Sequence, residues 1–159
     1  MIPINYNFTY QTTAFDLWRL SIYGIYRSIL GLCNIIFTVA MVILANKYWS
    51  NASDVSRYLL IVGISLFTVI QPIFIYIKAM KQVRLLPTKI NLQFDDVGVH
   101  VNANEQKSTI KWKDVKGILN RPGMVVILSS FQHGFILTDK VLRYQRKEFL
   151  NEITKKINV

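Results

Sequence analysis

Nineteen consecutive residues, Ser28 to Asn46, carry no charge, and after a short polar stretch twenty more, Tyr58 to Ile77, carry none either. At about 1.5 Å rise per residue, each run wound as a helix matches a hydrocarbon core about 30 Å thick. Runs of this length favour a membrane span over the alternative of two helices buried in a large soluble core. A cleaved signal peptide fits less well, because no basic segment opens the chain and a second span follows the first. Pro72 would break a soluble helix, but a membrane helix tolerates it when neighbouring groups satisfy the freed carbonyl. Tyr48, Trp49, Tyr58 and Tyr76 stand where interfacial aromatics belong.

The connection Lys47 to Arg57 is short and turn-rich, so the two spans form an antiparallel hairpin with both flanks on one side. Arg19, Arg27, Lys78, Lys81, Arg84 and Lys89 flank the hairpin, whereas only Lys47 and Arg57 lie in the connection. That excess places both termini in the cytoplasm, in a multi-pass protein of the inner or plasma membrane. Neither span contains Asp, Glu, Lys, Arg or His, which argues against a transporter or pump. Asn34 and Gln71, the amides well inside the spans, are read as hydrogen-bonded to each other across the hairpin in preference to lining a path.

The water-facing parts follow other periods. Ile4, Tyr6, Phe8 and Tyr10 alternate with polar residues, predicting a half-buried strand that needs a sheet to join. Phe15, Trp18, Ile22, Ile25 and Ile29 recur at helical spacing, predicting an interfacial helix over 14–29 that runs into the first span. After Pro87, period-two segments predict strands at 89–94, 99–103, 108–112, 115–119, 124–129 and 135–138. Turns fall at Asp95 to Gly98, Asn104 to Lys107, Pro122-Gly123 and Gln132 to Gly134. Asp139 then caps a final helix, 140–157, with Leu142, Phe149, Leu150, Ile153 and Ile157 on its apolar face. The chain thus divides into an N-terminal strand and interfacial helix (1–27), a transmembrane hairpin (28–77), a basic juxtamembrane linker (78–88) and a cytoplasmic domain (89–159).

These residues carry a resemblance. Ile90 with Phe94 and Gly98, then Ile110 with Trp112, Asp114 and Val115, placed after two spans, resemble the YcxB-like family of small bacterial membrane proteins. The resemblance covers about Lys89 to Leu150 plus the two-span layout. It implies a membrane α hairpin plus an α+β domain similar to pleckstrin-homology domains, a small seven-stranded antiparallel barrel or sheet closed by a C-terminal helix. Six strands follow Pro87, so the strand Ile4 to Tyr10 is either the seventh or an added edge.

Chemistry is sparse. His100 and His133 belong to different segments, and no metal-ligand spacing, nucleophile elbow or phosphate loop is present, so neither a cofactor nor an enzyme activity has support. The single cysteine, Cys33, excludes an intramolecular disulfide. Asp95-Asp96 reads as part of a hairpin turn. With 19 Lys+Arg against 9 Asp+Glu the chain carries +10, which suits an anionic membrane, an acidic partner or nucleic acid. Nucleic acid is disfavoured, because no recognition motif accompanies the charge. Lys107, Lys111, Lys113, Lys116 and Arg121 make the first half of the sheet basic, and Arg143, Arg146 and Lys147 extend the charge onto the helix. This surface reads either as a site for anionic lipid headgroups or an acidic protein, or as a solvated face with Trp112 in the core.

Two functions follow. One is a non-enzymatic membrane protein that presents a cytoplasmic interaction domain to a protein or anionic lipid. The other is an immunity-type protein that protects the producing cell from a membrane-active toxin or bacteriocin. A toxin gene beside its own would favour the second.

Overall fold

The alternating start of the chain folds as strand β1 (Tyr6–Tyr10), which pairs antiparallel with β2 (Ile90–Phe94) over its whole length, Tyr6 opposite Phe94 and Tyr10 opposite Ile90. The computed structural model describes residues 5–103, 106–130 and 133–157. Ile4, Asn104 and Gln132, which the sequence assigns to a strand and two turns, lie outside the described residues. The chain separates into a strand-rich unit, 1–12 with 86–159, and a helical unit, 13–85, inserted between β1 and β2. The class is α+β, with two antiparallel sheets and two long apolar helices.

In the strand-rich unit, β3 (Gly98–Ala103) and β4 (Gln106–Lys111) complete a sheet of order β1-β2-β3-β4. β5 (Gly117–Arg121), β6 (Met124–Leu128) and β7 (Gly134–Thr138) form a second sheet in that order. No strand pair joins the sheets among the described residues. Alternation turns Phe8, Leu92, Phe94, Val99 and Val101 inward. Phe149 is their hub, its ring 5.0 Å from that of Phe94 and 5.3 Å from those of Tyr6 and Phe8, each edge-on.

Several boundaries differ from expectation. β4 already begins at Gln106, inside the stretch the sequence assigns to a turn, and Gly134, also assigned to a turn, opens β7, because both pair with the neighbouring strand. Trp112 ends no strand: it opens a 3₁₀ turn, Trp112–Asp114, and the following strand starts at Gly117, two residues later than the alternation indicates. The turn lets Trp112 and Val115 both enter the core, and Gly117 supplies a φ of +151° that a side chain resists. The last helix is also two pieces. α5 (Asp139–Leu142), with Thr138 rather than Asp139 at the cap position, stops where Arg143 takes φ +50°. A 3₁₀ turn, Arg143–Gln145, then leads into α6 (Arg146–Ile157). Arg146 locks the break, donating to Asp139 Oδ1 at 2.6 Å, Asn120 Oδ1 at 2.7 Å and the Arg121 carbonyl at 2.6 Å.

The helical unit opens with α1 (Ala14–Tyr26), whose Thr13 and Asp16 form a reciprocal capping box. Contrary to expectation, α1 does not run into the first long helix. Ser28 is extended, its hydroxyl donates to the Ile25 carbonyl at 2.6 Å, and α2 (Ile29–Tyr48) starts afresh. Gly31 makes this junction possible, since a Cβ there would collide with the backbone of Ile25 and Tyr26. After a 3₁₀ turn at Trp49–Asn51, α3 (Asp54–Ser65), a π-helical turn (Leu66–Ile70) and α4 (Gln71–Val83) form one continuous helix.

Pro72 explains the π turn. The Gln71 N–H reaches back five residues to the Leu66 carbonyl, so in this register the missing N–H of Pro72 would have served Phe67. Tyr26 takes its place, its hydroxyl donating to the Phe67 carbonyl at 3.3 Å. Asn34 Nδ2 donates to Gln71 Oε1 at 2.9 Å, the pairing expected from the sequence. Trp18 Nε1 donates to the Pro72 carbonyl at 3.0 Å and its ring meets Tyr76 edge-on, so α1 packs along α4.

Candidate functional site

An open groove of about 1170 Å³ runs between the edge strand β5 and helix α6. The period of two in β5 gives Ile118 to its floor, and the spacing of three and four residues in α6 adds Leu150 and Ile157. Lys116, Lys147 and Lys155 line the same groove, with Asn120, Asn151 and Thr154 among them. No carboxylate lines it among the described residues. Among the described residues none of the three lysines makes an ion pair, whereas Arg146 pairs with Asp139 and Lys156 with Asp96.

Helix α6 sorts its charges by face. Phe149 and Ile153 are fully buried. The flank bearing Glu152 and Glu148 turns towards Tyr6 of β1: burial, then a hydrogen bond with Glu152, pushes the Tyr6 hydroxyl up to about 12. The flank bearing Lys147, Asn151 and Lys155 turns towards β5. The groove is therefore basic because the acidic residues of the helix face elsewhere.

Of the residues the sequence singles out, the structure brings Lys116 and Lys147 into this groove. Lys107 lies instead on the outer face of the four-stranded sheet. There two cross-strand rows, Asn7-Gln93-His100-Thr109 and Thr9-Asn91-Asn102-Lys107, form a polar grid over a depression of about 440 Å³. Lys111 ends β4 and Lys113 sits exposed in the turn after it. Arg143 lines a separate depression beside Asn7 and Thr9. Arg121 ends β5, and its carbonyl is held by Arg146. Arg146 is spent within the domain, its side chain only 24% exposed. Trp112 belongs to the core, stacked on Phe94 with its Nε1 donating to the Asp95 carbonyl at 2.9 Å. Lys155 was legible only as a basic residue of the last helix, and Ile118, Asn151 and Thr154 not at all. The signal for the helix residues was their spacing with Lys147.

Asp95 is the turn residue its position implies. Its Oδ1 accepts from the Val97 and Gly98 N–H groups at 2.8 and 3.0 Å. Its Oδ2 lies 2.7 Å from His100 Nε2, whose Nδ1 lies 2.8 Å from Thr109 Oγ1. Against the desolvation that raises it, these hydrogen bonds hold the Asp95 carboxyl below its ordinary range. The line Asp95–His100–Thr109 ties turn and strands together: one carboxylate oxygen is committed to the turn, and Thr109 sits in a regular paired strand. Gly98 completes the hairpin, because a Cβ there would strike the Ile110 carbonyl. Among the described residues no group of three His, Cys, Asp or Glu side chains is placed to hold a metal ion.

Compared with known proteins, the chain matches no family profile, no curated protein and no solved structure.

Proposed function

We propose that this is a non-enzymatic integral membrane protein whose helical hairpin crosses the bilayer and whose strand-rich domain binds an acidic partner, protein or anionic lipid, on the cytoplasmic side. One observation carries the membrane part. The helical unit buries Gly31, Asn34, Gly63 and Ala79, while Ile29 (81% exposed), Phe74 (67% exposed) and most of their large apolar neighbours face outward. Water would penalise that surface heavily, at about 25 cal/mol per Å², whereas lipid accepts it and favours small and amide residues between helices. The internal supply of partners to Gln71 and to the Phe67 carbonyl fits a solvent that offers none.

The excess of basic residues outside the hairpin supports an orientation with both flanks in the cytoplasm. Among the described residues, seven strands in sheets of four and three, followed by a helix, support the pleckstrin-homology-like layout and the YcxB-like kinship, with β1 as the seventh strand. The lysine-lined groove supports binding as the activity. A cysteine at Ser53 should react with an impermeant maleimide in intact cells, and one at Ser108 only after lysis. The reverse pattern refutes the orientation, and release of the protein by alkaline carbonate refutes insertion.

A further inference from the structure

Resting on the binding role just proposed, the geometry points to one occupant: we infer that the groove takes an acidic peptide segment in extended conformation, added as a fourth strand beside β5. Among the described residues β5 pairs only with β6 and ends its sheet. Such an edge presents unpaired N–H and C=O groups, and folded proteins usually blunt it with charge, proline, a bulge or a covering element. Here the edge faces a groove instead. Gly117, Ile118 and Asn120 form one wall, and a Cβ built on Gly117 would meet nothing within 4 Å. Across the gap, α6 offers Leu150 and Ile157, and Lys147 and Lys155 line the same side of the groove.

A strand laid in this gap alternates its side chains by its own period of two. One set meets Ile118, Leu150 and Ile157; the other points to the lysine rim. The matching sequence alternates apolar and acidic residues. The five residues of β5 span about 17 Å, room for a ligand strand of about five residues. Main-chain pairing then supplies affinity, while the apolar floor and the lysines select the sequence. A lipid headgroup would use the lysines but leave the strand edge unpaired, which is why the peptide is the better occupant.

The test uses the full chain in phosphatidylcholine nanodiscs and a fluorescein-labelled peptide of alternating Glu and Val, read by anisotropy at low salt. Binding should weaken about tenfold or more in the K147E/K155E variant and stay unchanged in K111E/K113E, which reverses the same number of charges outside the groove. Amide hydrogen exchange at 117–120 should slow when the peptide is bound. Peptide binding that leaves those amides unprotected, or that ignores K147E/K155E, overturns the strand-addition geometry. Absence of peptide binding together with K147E/K155E-sensitive capture of phosphatidylserine vesicles overturns the peptide and keeps the lysine groove as a binding site. Capture of neither overturns both.

Discussion

Replacing Asn34 by leucine removes the donor that meets Gln71 Oε1 at 2.9 Å between two helices. Asn34 is 8% exposed and Gln71 half-buried, and in the bilayer proposed above the open side of Gln71 meets lipid, which offers its amide no partner. The Gln71 amide left behind should cost about 1–3 kcal/mol, the penalty of an unsatisfied buried polar group. Gln71→Leu inverts the roles and should cost the same. The double variant has no orphaned amide, so its loss should fall short of the two single losses added together. The shortfall should be about 0.6 kcal/mol and at most about 1.7 kcal/mol, the average and the maximum from double-mutant cycles on interhelical hydrogen bonds in a membrane protein. Unfolding of the four proteins in mixed dodecyl maltoside and SDS micelles, followed by circular dichroism, gives the cycle directly. Additive losses, within about 0.3 kcal/mol, would refute the pairing.

Other perturbations test the strand-rich unit. Phe8→Ala empties a buried site beside Phe94 and Phe149 and should cost about 3–5 kcal/mol in urea unfolding; an unchanged midpoint would exclude β1 from the core. Arg143→Gly relieves a φ of +50° and should raise the melting temperature by about 4–8 °C, the equivalent of about 1 kcal/mol. Asp95 has its folded-state pKa lowered from 3.8, so its carboxylate stabilises the fold above that value and the contribution is lost as pH falls through the folded one. Urea midpoints between pH 6 and 2.5 should therefore decline less steeply below about pH 4 in Asp95→Asn than in the parent protein.

What the sequence disclosed depended on the range of the interaction. β2 to β4 and the Asp95 turn rest on local period and turn chemistry and stand within a residue or two of expectation, while both uncharged runs fall in long helices, the second of which starts four residues before Tyr58 and ends six after Ile77. The pairing of Asn34 with Gln71 was legible because an amide in an apolar run has few other partners. Trp112 misled because its alternation with Ile110 continues a strand, whereas burial of both Trp112 and Val115 needs a tight turn. The break at Arg143 leaves no local mark, since its compensation comes from Arg146 binding carbonyls of the β5–β6 hairpin, more than twenty residues earlier. The groove was hidden for the same reason. Lys116 and Lys147 read as members of one broad basic surface, and only the docking of α6 places them on facing walls of a groove.

The insertion of the helical unit between β1 and β2 has an energetic consequence. Tyr10 faces Ile90, so everything from 11 to 89 serves as the connection of a two-stranded pairing. As a flexible loop that connection would cost about 2.7 kcal/mol more to close than a four-residue turn, taking (3/2)RT ln n for the difference. The helical unit offsets this cost itself. Trp18, near the start of α1, holds Pro72 and Tyr76 of α4, so the two ends of the insertion run back towards each other within that unit. Trp18→Ala should loosen that clasp and pass part of the closure cost to the β1–β2 ladder. Amide exchange at 6–10 should then accelerate, by up to about a hundredfold if the whole 2.7 kcal/mol is transferred. Amides of β6, whose neighbours β5 and β7 follow it or precede it by short turns, should change far less. Equal acceleration in β1 and β6 would mean that the clasp stabilises the domain globally, and no acceleration in β1 would mean that strand pairing is independent of how the helices pack.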